Sequence, residues 1–140
     1  MLIQLTVGAT TSTLVDDQNS AGGGRIAGRL ERLDSEALVQ IEPLYGAAAP
    51  ATFARGNTRG QCVLTAQQSF GSYDAATVGY AAAVALVNSV GTVTLQPSPA
   101  GAGKTLTLAG AILKSVAKVD WTGVTLSLRY TFEITTINHN

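Results

Sequence analysis

The sequence predicts a mainly β domain, a two-sheet antiparallel β-sandwich with a single packed α-helix at about residues 72–90. Three observations predict it. Most of the chain alternates apolar and polar residues with a period of two, the mark of half-buried strands. Only the 72–90 stretch repeats its apolar residues at steps of three and four. Clusters of Gly, Pro, Asn and Asp punctuate the remainder at intervals suited to short strands. The 140 residues fit one domain spanning 1–140.

In chain order, Met1–Val7 sets Leu2, Gln4 and Thr6 against Ile3, Leu5 and Val7 and reads as a strand. Residues 16–24 begin Asp16-Asp17-Gln18-Asn19 and end in three glycines, a composition that predicts a flexible loop. Arg25–Leu33 and Ala37–Ile41 read as two strands joined by Asp34-Ser35-Glu36. A helix over 29–39 also fits the spacing of Leu30, Leu33, Ala37 and Leu38. The triple glycine before it and Val39-Gln40-Ile41 after it favour the hairpin. A second flexible loop is expected at 46–50. Ala51–Ala54 reads as a short strand, Arg55–Gly60 as a polar turn, and Gln61–Ser69 as a strand with Cys62, Leu64 and Ala66 on one face.

Ser72 is a suitable N-cap for the helix, and Asp74 suits the positive end of its dipole. Its apolar stripe is Ala75, Val78, Ala82, Leu86 and Val90, widened by Ala83 and Val87, with Gly91 as the closing residue. Thr92–Gln96 and Thr105–Leu108 then form a hairpin around a loop at 97–104. Ala111–Val119 is a further strand, and Asp120-Trp121-Thr122-Gly123 turns the chain. Val124–Ile137 alternates throughout, with Val124, Leu126, Leu128, Tyr130, Phe132 and Ile134 sharing a face. A strand so long and so regular is expected at the centre of a sheet, because unpaired it would template aggregation.

Composition bears on function. Hydrophobic residues make up 46% of the chain and charged residues 13%, against about 25% charged in ordinary globular domains. Low charge is expected where much of the surface faces another subunit; a monomer with a neutral, hydroxyl-rich surface is the alternative. The nine basic and nine acidic residues interleave, as in Arg25, Arg29 and Arg32 with Glu31, Asp34 and Glu36. That excludes the clustered basic face that nucleic acid needs. Cys62 is the lone cysteine and reads as a buried thiol. No basic leader and no run of 18 apolar residues is present, so a soluble protein made in the cytoplasm, with no membrane partner, is expected.

Motifs with chemistry are scarce. Gly101-Ala102-Gly103-Lys104-Thr105 imitates a phosphate-binding loop, but Ser98 stands at the first glycine position and an alternating strand, not a helix, follows. Without a helix N-terminus there is no anion site. The Asp16-Asp17 and Asp34/Glu36 carboxylates fall in hydrophilic stretches, and His139 has no companions for a metal. No catalytic residue, cofactor or metal site is therefore expected. Interface candidates are Arg55 and Arg59, which could hold a partner's carboxylates; Trp121, either a cap over the core edge or an anchor; and Asp16 and Asp17, at the head of the 16–24 arm.

The order of elements resembles the β-sandwich-with-helix domain of bacteriophage tail structural proteins: tail tube, distal tail and minor tail proteins. The stretch that carries the likeness runs from Thr52 to Ile137. It joins Phe53-Ala54-Arg55-Gly56-Asn57-Thr58-Arg59 to a strand, the helix, the 91–108 hairpin and Val124-Thr125-Leu126-Ser127-Leu128-Arg129-Tyr130-Thr131-Phe132. The resemblance implies homo-oligomeric rings, commonly hexamers, stacked in a virion beside other tail proteins. It carries over no catalytic residue. The expectation is a non-enzymatic virion subunit of tube, terminator or distal-tail type, assembled in the host bacterial cytoplasm. A β-sandwich binding module for carbohydrate or peptide is the alternative, and Tyr45, Tyr73 and Trp121 would be its aromatics. A small enzyme is disfavoured, since His, Cys and carboxylates form no constellation.

Overall fold

The computed structural model describes residues 1–17, 25–42, 51–96 and 105–139, with side chains placed outside 35–42, 51–59 and 138–139. The chain runs β1 (Leu2–Val7), β2 (Thr10–Asp16), β3 (Ile26–Glu42), β4 (Ala51–Ser69), α1 (Tyr73–Ala85), β5 (Val90–Gln96), β6 (Leu106–Thr122), β7 (Thr125–Ile134) and β8 (Thr136–His139). It is mainly β with a single helix among the described residues, the class its alternation predicts. The expected loops at 18–24, 46–50 and 97–104, the phosphate-loop imitation up to Lys104, and Tyr45 lie outside the described residues.

Every pairing is antiparallel, and all strands belong to one sheet in the order β5-β1-β2-β3-β4-β7-β6-β8. β5 also pairs with β6, from Leu95–Leu106 to Val90–Ile112, so the ladder returns to where it started. The two separate sheets expected from the sequence are thus replaced by one continuous ladder. Alternation alone cannot separate these cases, because both give each strand one apolar face. β8 continues β7 beyond Thr135, and both lie along β6. Counting them as one leaves seven strands in the ring. An odd ring of straight strands cannot run antiparallel at every junction, so the strands must bend. Register shifts interrupt β2, β3, β5 and β6, and such bulges bend a strand and raise its twist. The thinnest junction is β2–β3, a single bridge between Asp16 and Ile26.

The inner face is apolar. β7 buries Leu126, Leu128, Tyr130, Phe132 and Ile134 in strict alternation and pairs with β4 on one side and β6 on the other. The central place expected of this strand is found, and so is its inward face from Leu126 on, but Val124 lies in the turn before the strand and is 38% exposed. Cys62, Leu64 and Ala66 of β4 meet them, and Ile3 and Leu5 of β1 complete the facing wall. Two tight hairpins hold this register. Gly8 and Gly123 take φ of 61° and 58° at the first loop position, where a side chain would be strained.

Several local expectations are corrected. Thr10–Asp16, unassigned in the sequence reading, is strand β2, and Asp16 ends it rather than opening a loop. Asp34-Ser35-Glu36 is no turn. β3 runs straight through it, because the stretch lacks the glycine of a tight hairpin and β4 offers partners along its whole length. The turn at Arg55–Gly60 is likewise strand. Between the pairs Ala37–Thr58 and Val39–Ala54, Arg55, Gly56 and Asn57 face Leu38 alone. The Gly-Asn signal marks an irregularity in a strand rather than a reversal. Ala111–Val119 is the middle of a longer β6, and Asp120 and Trp121 belong to that strand rather than to the turn after it.

The helix starts as expected. Ser72 caps it, its Oγ accepting from the Ala75 amide at 3.1 Å. It ends at Ala85, five residues early, where Asn88 with φ of 73° breaks the chain into a left-handed step. Asn88 N–H donates to the Leu113 carbonyl, and Leu113 N–H donates to the Ser89 carbonyl, which hands the chain to β6. Gly91 is no helix terminator; it sits in β5, where a Cβ would run into the Thr6 carbonyl. The buried helical face is also rotated from the expected one. Ala76 and Ala83 are buried, whereas Val78 is 68% exposed. Almost every residue of this helix is apolar, so periodicity discriminates poorly, and a close approach decides instead. A Cβ on Gly79 would lie 2.5 Å from Phe70 Cζ, so only glycine lets the helix seat there.

Cys62 is fully enclosed, and burial pushes its thiol up to about 12. A thiol reagent at pH 8 is expected to leave the native protein unmodified and to label it fully in denaturant. Labelling at the free-thiol rate under native conditions would contradict the position of β4.

Candidate interaction surface

Three features stand on the outside of the ladder. The first is an aromatic clasp between α1 and the β6–β7 hairpin. Tyr73 and Tyr80, two helical turns apart, share one side of the helix. The Trp121 ring stacks on Tyr73 at 5.5 Å between centroids and lies 6.0 Å from Tyr80. Lys118, one strand turn back on β6, places Nζ 4.9 Å from the Trp121 ring centre and 5.2 Å from that of Tyr80. Trp121 Nε1 donates to the Gly123 carbonyl at 2.9 Å, which ties the indole to its own hairpin. Trp121 is therefore half-buried and occupied, a cap over the core edge that pins the helix. Tyr73 is the more open partner, 61% exposed.

The second feature is a polar knot on the outer face of β3, β4 and β7. Arg29, Thr65 and Arg129 form a row in register across the three strands. Glu31 is the extra residue of a bulge, since Leu30 pairs with Leu64 and Arg32 with Val63. The bulge turns its carboxylate onto that row. Glu31 Oε1 accepts from Thr65 Oγ1 at 2.7 Å and meets Arg29 Nη2 at 3.4 Å, and Oε2 accepts from Arg129 Nε at 3.1 Å. The Thr65 hydroxyl, with Arg129 and Arg29 beside it, holds this carboxyl below its ordinary range. Asp34 is held low in the same way, by Arg32 Nε at 2.6 Å and the Gln61 amide at 3.1 Å. The sequence placed Asp34 in a solvated loop; the strand pairing gives it these partners. Elsewhere hydroxyls bond across strands, as Thr6 of β1 with Thr11 of β2 and Ser69 of β4 with Thr125 of β7.

The third feature is apolar exposure. Val90 and Ile112 are cross-strand partners on β5 and β6, and both are exposed. Val78 and Val84 stand out from α1, and Val119 and Val124 from the β6–β7 hairpin.

The other interface candidates fall elsewhere and do not converge. Asp17 lies against the Met1 amino group. Arg55 and Arg59 belong to β4 by backbone, with Arg59 opposite Glu36 in register, and their side chains lie outside the described residues. No group of three or more His, Cys, Asp or Glu among the described residues could hold a metal. No helix among them is long and apolar enough to cross a membrane, which does not bear on strands. No protein-family model and no curated protein matches this chain.

Two outcomes follow from these contacts. Trp121→Ala is expected to cost about 1 kcal/mol for the lost ring contacts. The lost amide protection should concentrate in the first half of α1, and hydrogen exchange that weakens all strands equally would count against the clasp. For Glu31 the folded-state pKa is depressed, so its contribution is present above the ordinary value of 4.5 and lost as pH falls through the lower folded value. Glu31→Gln is expected to melt below the wild type at neutral pH. The gap should close under acid, as read from melting temperatures across pH.

Proposed function

We propose that the protein is a non-enzymatic structural subunit of a bacteriophage virion, a tail protein of tube, terminator or distal-tail type. It assembles into homo-oligomeric rings, with six subunits the expected number, and joins other tail proteins after synthesis in the host cytoplasm. The observation that supports this best is the β3–β4 ribbon. β4 pairs with β7 only from Gly60 onward, so Ala51–Arg59 are paired in the ladder only with β3 among the described residues. At about 3.3 Å per residue this ribbon extends roughly 30 Å past the rest of the ladder. Beyond Ile26, β3 has no second neighbour among the described residues. An open edge of that length is an aggregation hazard for a monomer and a strand-addition site for a neighbouring subunit. A head-to-tail contact of this kind closes into a ring or grows into a filament.

The surface chemistry supports the same reading. A chain with 13% charged residues presents few ions to desolvate at a contact. Hydroxyl rows and exposed valines suit broad protein–protein packing rather than a polar reaction site. The exposed Tyr73 ring beside Trp121 favours a second reading, a β-rich binding module for carbohydrate or peptide.

Native mass separates the two. Light scattering at micromolar and higher concentration, with electron micrographs of the same samples, is expected to show closed rings. Replacing Ala37–Thr58 by a two-residue Asn-Gly turn should leave the β circular dichroism and yield monomers. A wild type that stays monomeric at every concentration would sink the ring. Rings that survive the shortening would show that the ribbon is not the contact.

A further inference from the structure

The helix does not close on the strands everywhere. Between α1 and strands β2, β4 and β7 lies a half-open cavity of about 410 Å³. Its wall is mostly apolar, with Phe70, Leu126 and Tyr130 among the large residues and Ser12, Thr13 and Gln68 as the polar ones, while the helix contributes small residues such as Ala82. No Lys, Arg, His, Asp or Glu lines it. Small helical residues opposite a wall of large ones leave the space unfilled, where a packed interior would normally close it.

Tyr130 is the unusual wall residue. It is only 7% exposed, and its hydroxyl bonds to no other group among the described residues. Buried phenols ordinarily find a partner, since an unpaired one gives up its hydration for nothing. No fully enclosed side-chain oxygen or nitrogen among the described residues lacks a partner. The Tyr130 oxygen is therefore not fully enclosed, and Tyr130 is one of the residues that line the cavity.

We propose that this cavity binds a small uncharged molecule, largely apolar, that offers one hydrogen-bond acceptor to Tyr130 Oη. The volume falls within the range of about 300–1,000 Å³ usual for small-molecule sites. Apolar walls favour an apolar body, and a carboxylate or ammonium would enter with no counter-charge to meet it. Burial pushes the phenol up to about 12, so it remains protonated and serves as a donor rather than as an anion.

Benzophenone and diphenylmethane test this, since they share size and rings and differ by one carbonyl. Equilibrium dialysis against the full chain is expected to show saturable binding of both, with benzophenone about fivefold tighter for its single hydrogen bond. Tyr130→Phe should erase that preference while still binding diphenylmethane. Ala82→Trp, which fills the space from an exposed helical position, should abolish binding of both with the circular dichroism unchanged. Irradiated benzophenone should crosslink to peptides carrying Phe70, Leu86 or Leu126. The proposal is overturned if neither compound saturates, if the preference survives in Tyr130→Phe, or if crosslinks fall outside the cavity.

Discussion

The pairing of β5 with both β1 and β6 is the constraint on which the remainder of the molecule depends. A sheet left open between β5 and β6 would expose two apolar-faced edge strands to solvent and to other chains. Joining them turns the inner faces of β1, β4, β6 and β7 toward one another, and a single core can then form. β7 is the element that gains most. Its five alternate large residues are enclosed only because β4 and β6 flank it and β1 lies across the interior. Closure with an odd number of strands has a cost in regularity, and that cost is visible as bulges. One of these bulges does chemical work on the outside, since it turns Glu31 onto the Arg29–Thr65–Arg129 row.

The helix is placed by sterics as much as by hydrophobicity. Its residues are nearly all apolar, so burial energy alone favours no particular face. Gly79 allows contact with Phe70, and the Tyr73–Trp121–Lys118 group holds the start of the helix against the β6–β7 hairpin. The seat that results satisfies both contacts but leaves the alanine side short of the β7 wall. The cavity is thus a consequence of how the helix is anchored, and Tyr130 is part of its wall.

Outside, the molecule has a closed body and an open projection. Cross-strand hydroxyl bonds and the Glu31 knot satisfy the body's surface locally. The ribbon of β3 and β4 pairs with no third strand among the described residues. In physical terms the body looks after itself, and the ribbon is the part whose backbone groups call for a second chain. That asymmetry underlies the structural role proposed, and it is independent of the cavity.

The sequence by itself determined the class of the fold and the inward faces of its principal strands. Leu126 to Ile134, Cys62 to Ala66, and Ile3 with Leu5 were legible because a strand's side-chain period is fixed at two whatever its neighbours are. Ser72 was legible as a cap because capping is local chemistry. The tertiary structure alone decided the strand order, the return of the ladder to β5, the face and length of the helix, and the passage of β3 and β4 through their polar stretches. Asp34-Ser35-Glu36 and Arg55–Gly60 carry turn-like composition, yet each finds a partner strand, and paired backbone outweighs local preference. The aromatic clasp and the cavity were equally out of reach. Tyr73, Tyr80, Lys118 and Trp121 come together only after the helix is seated, and a void arises from what fails to meet, which no stretch of sequence records.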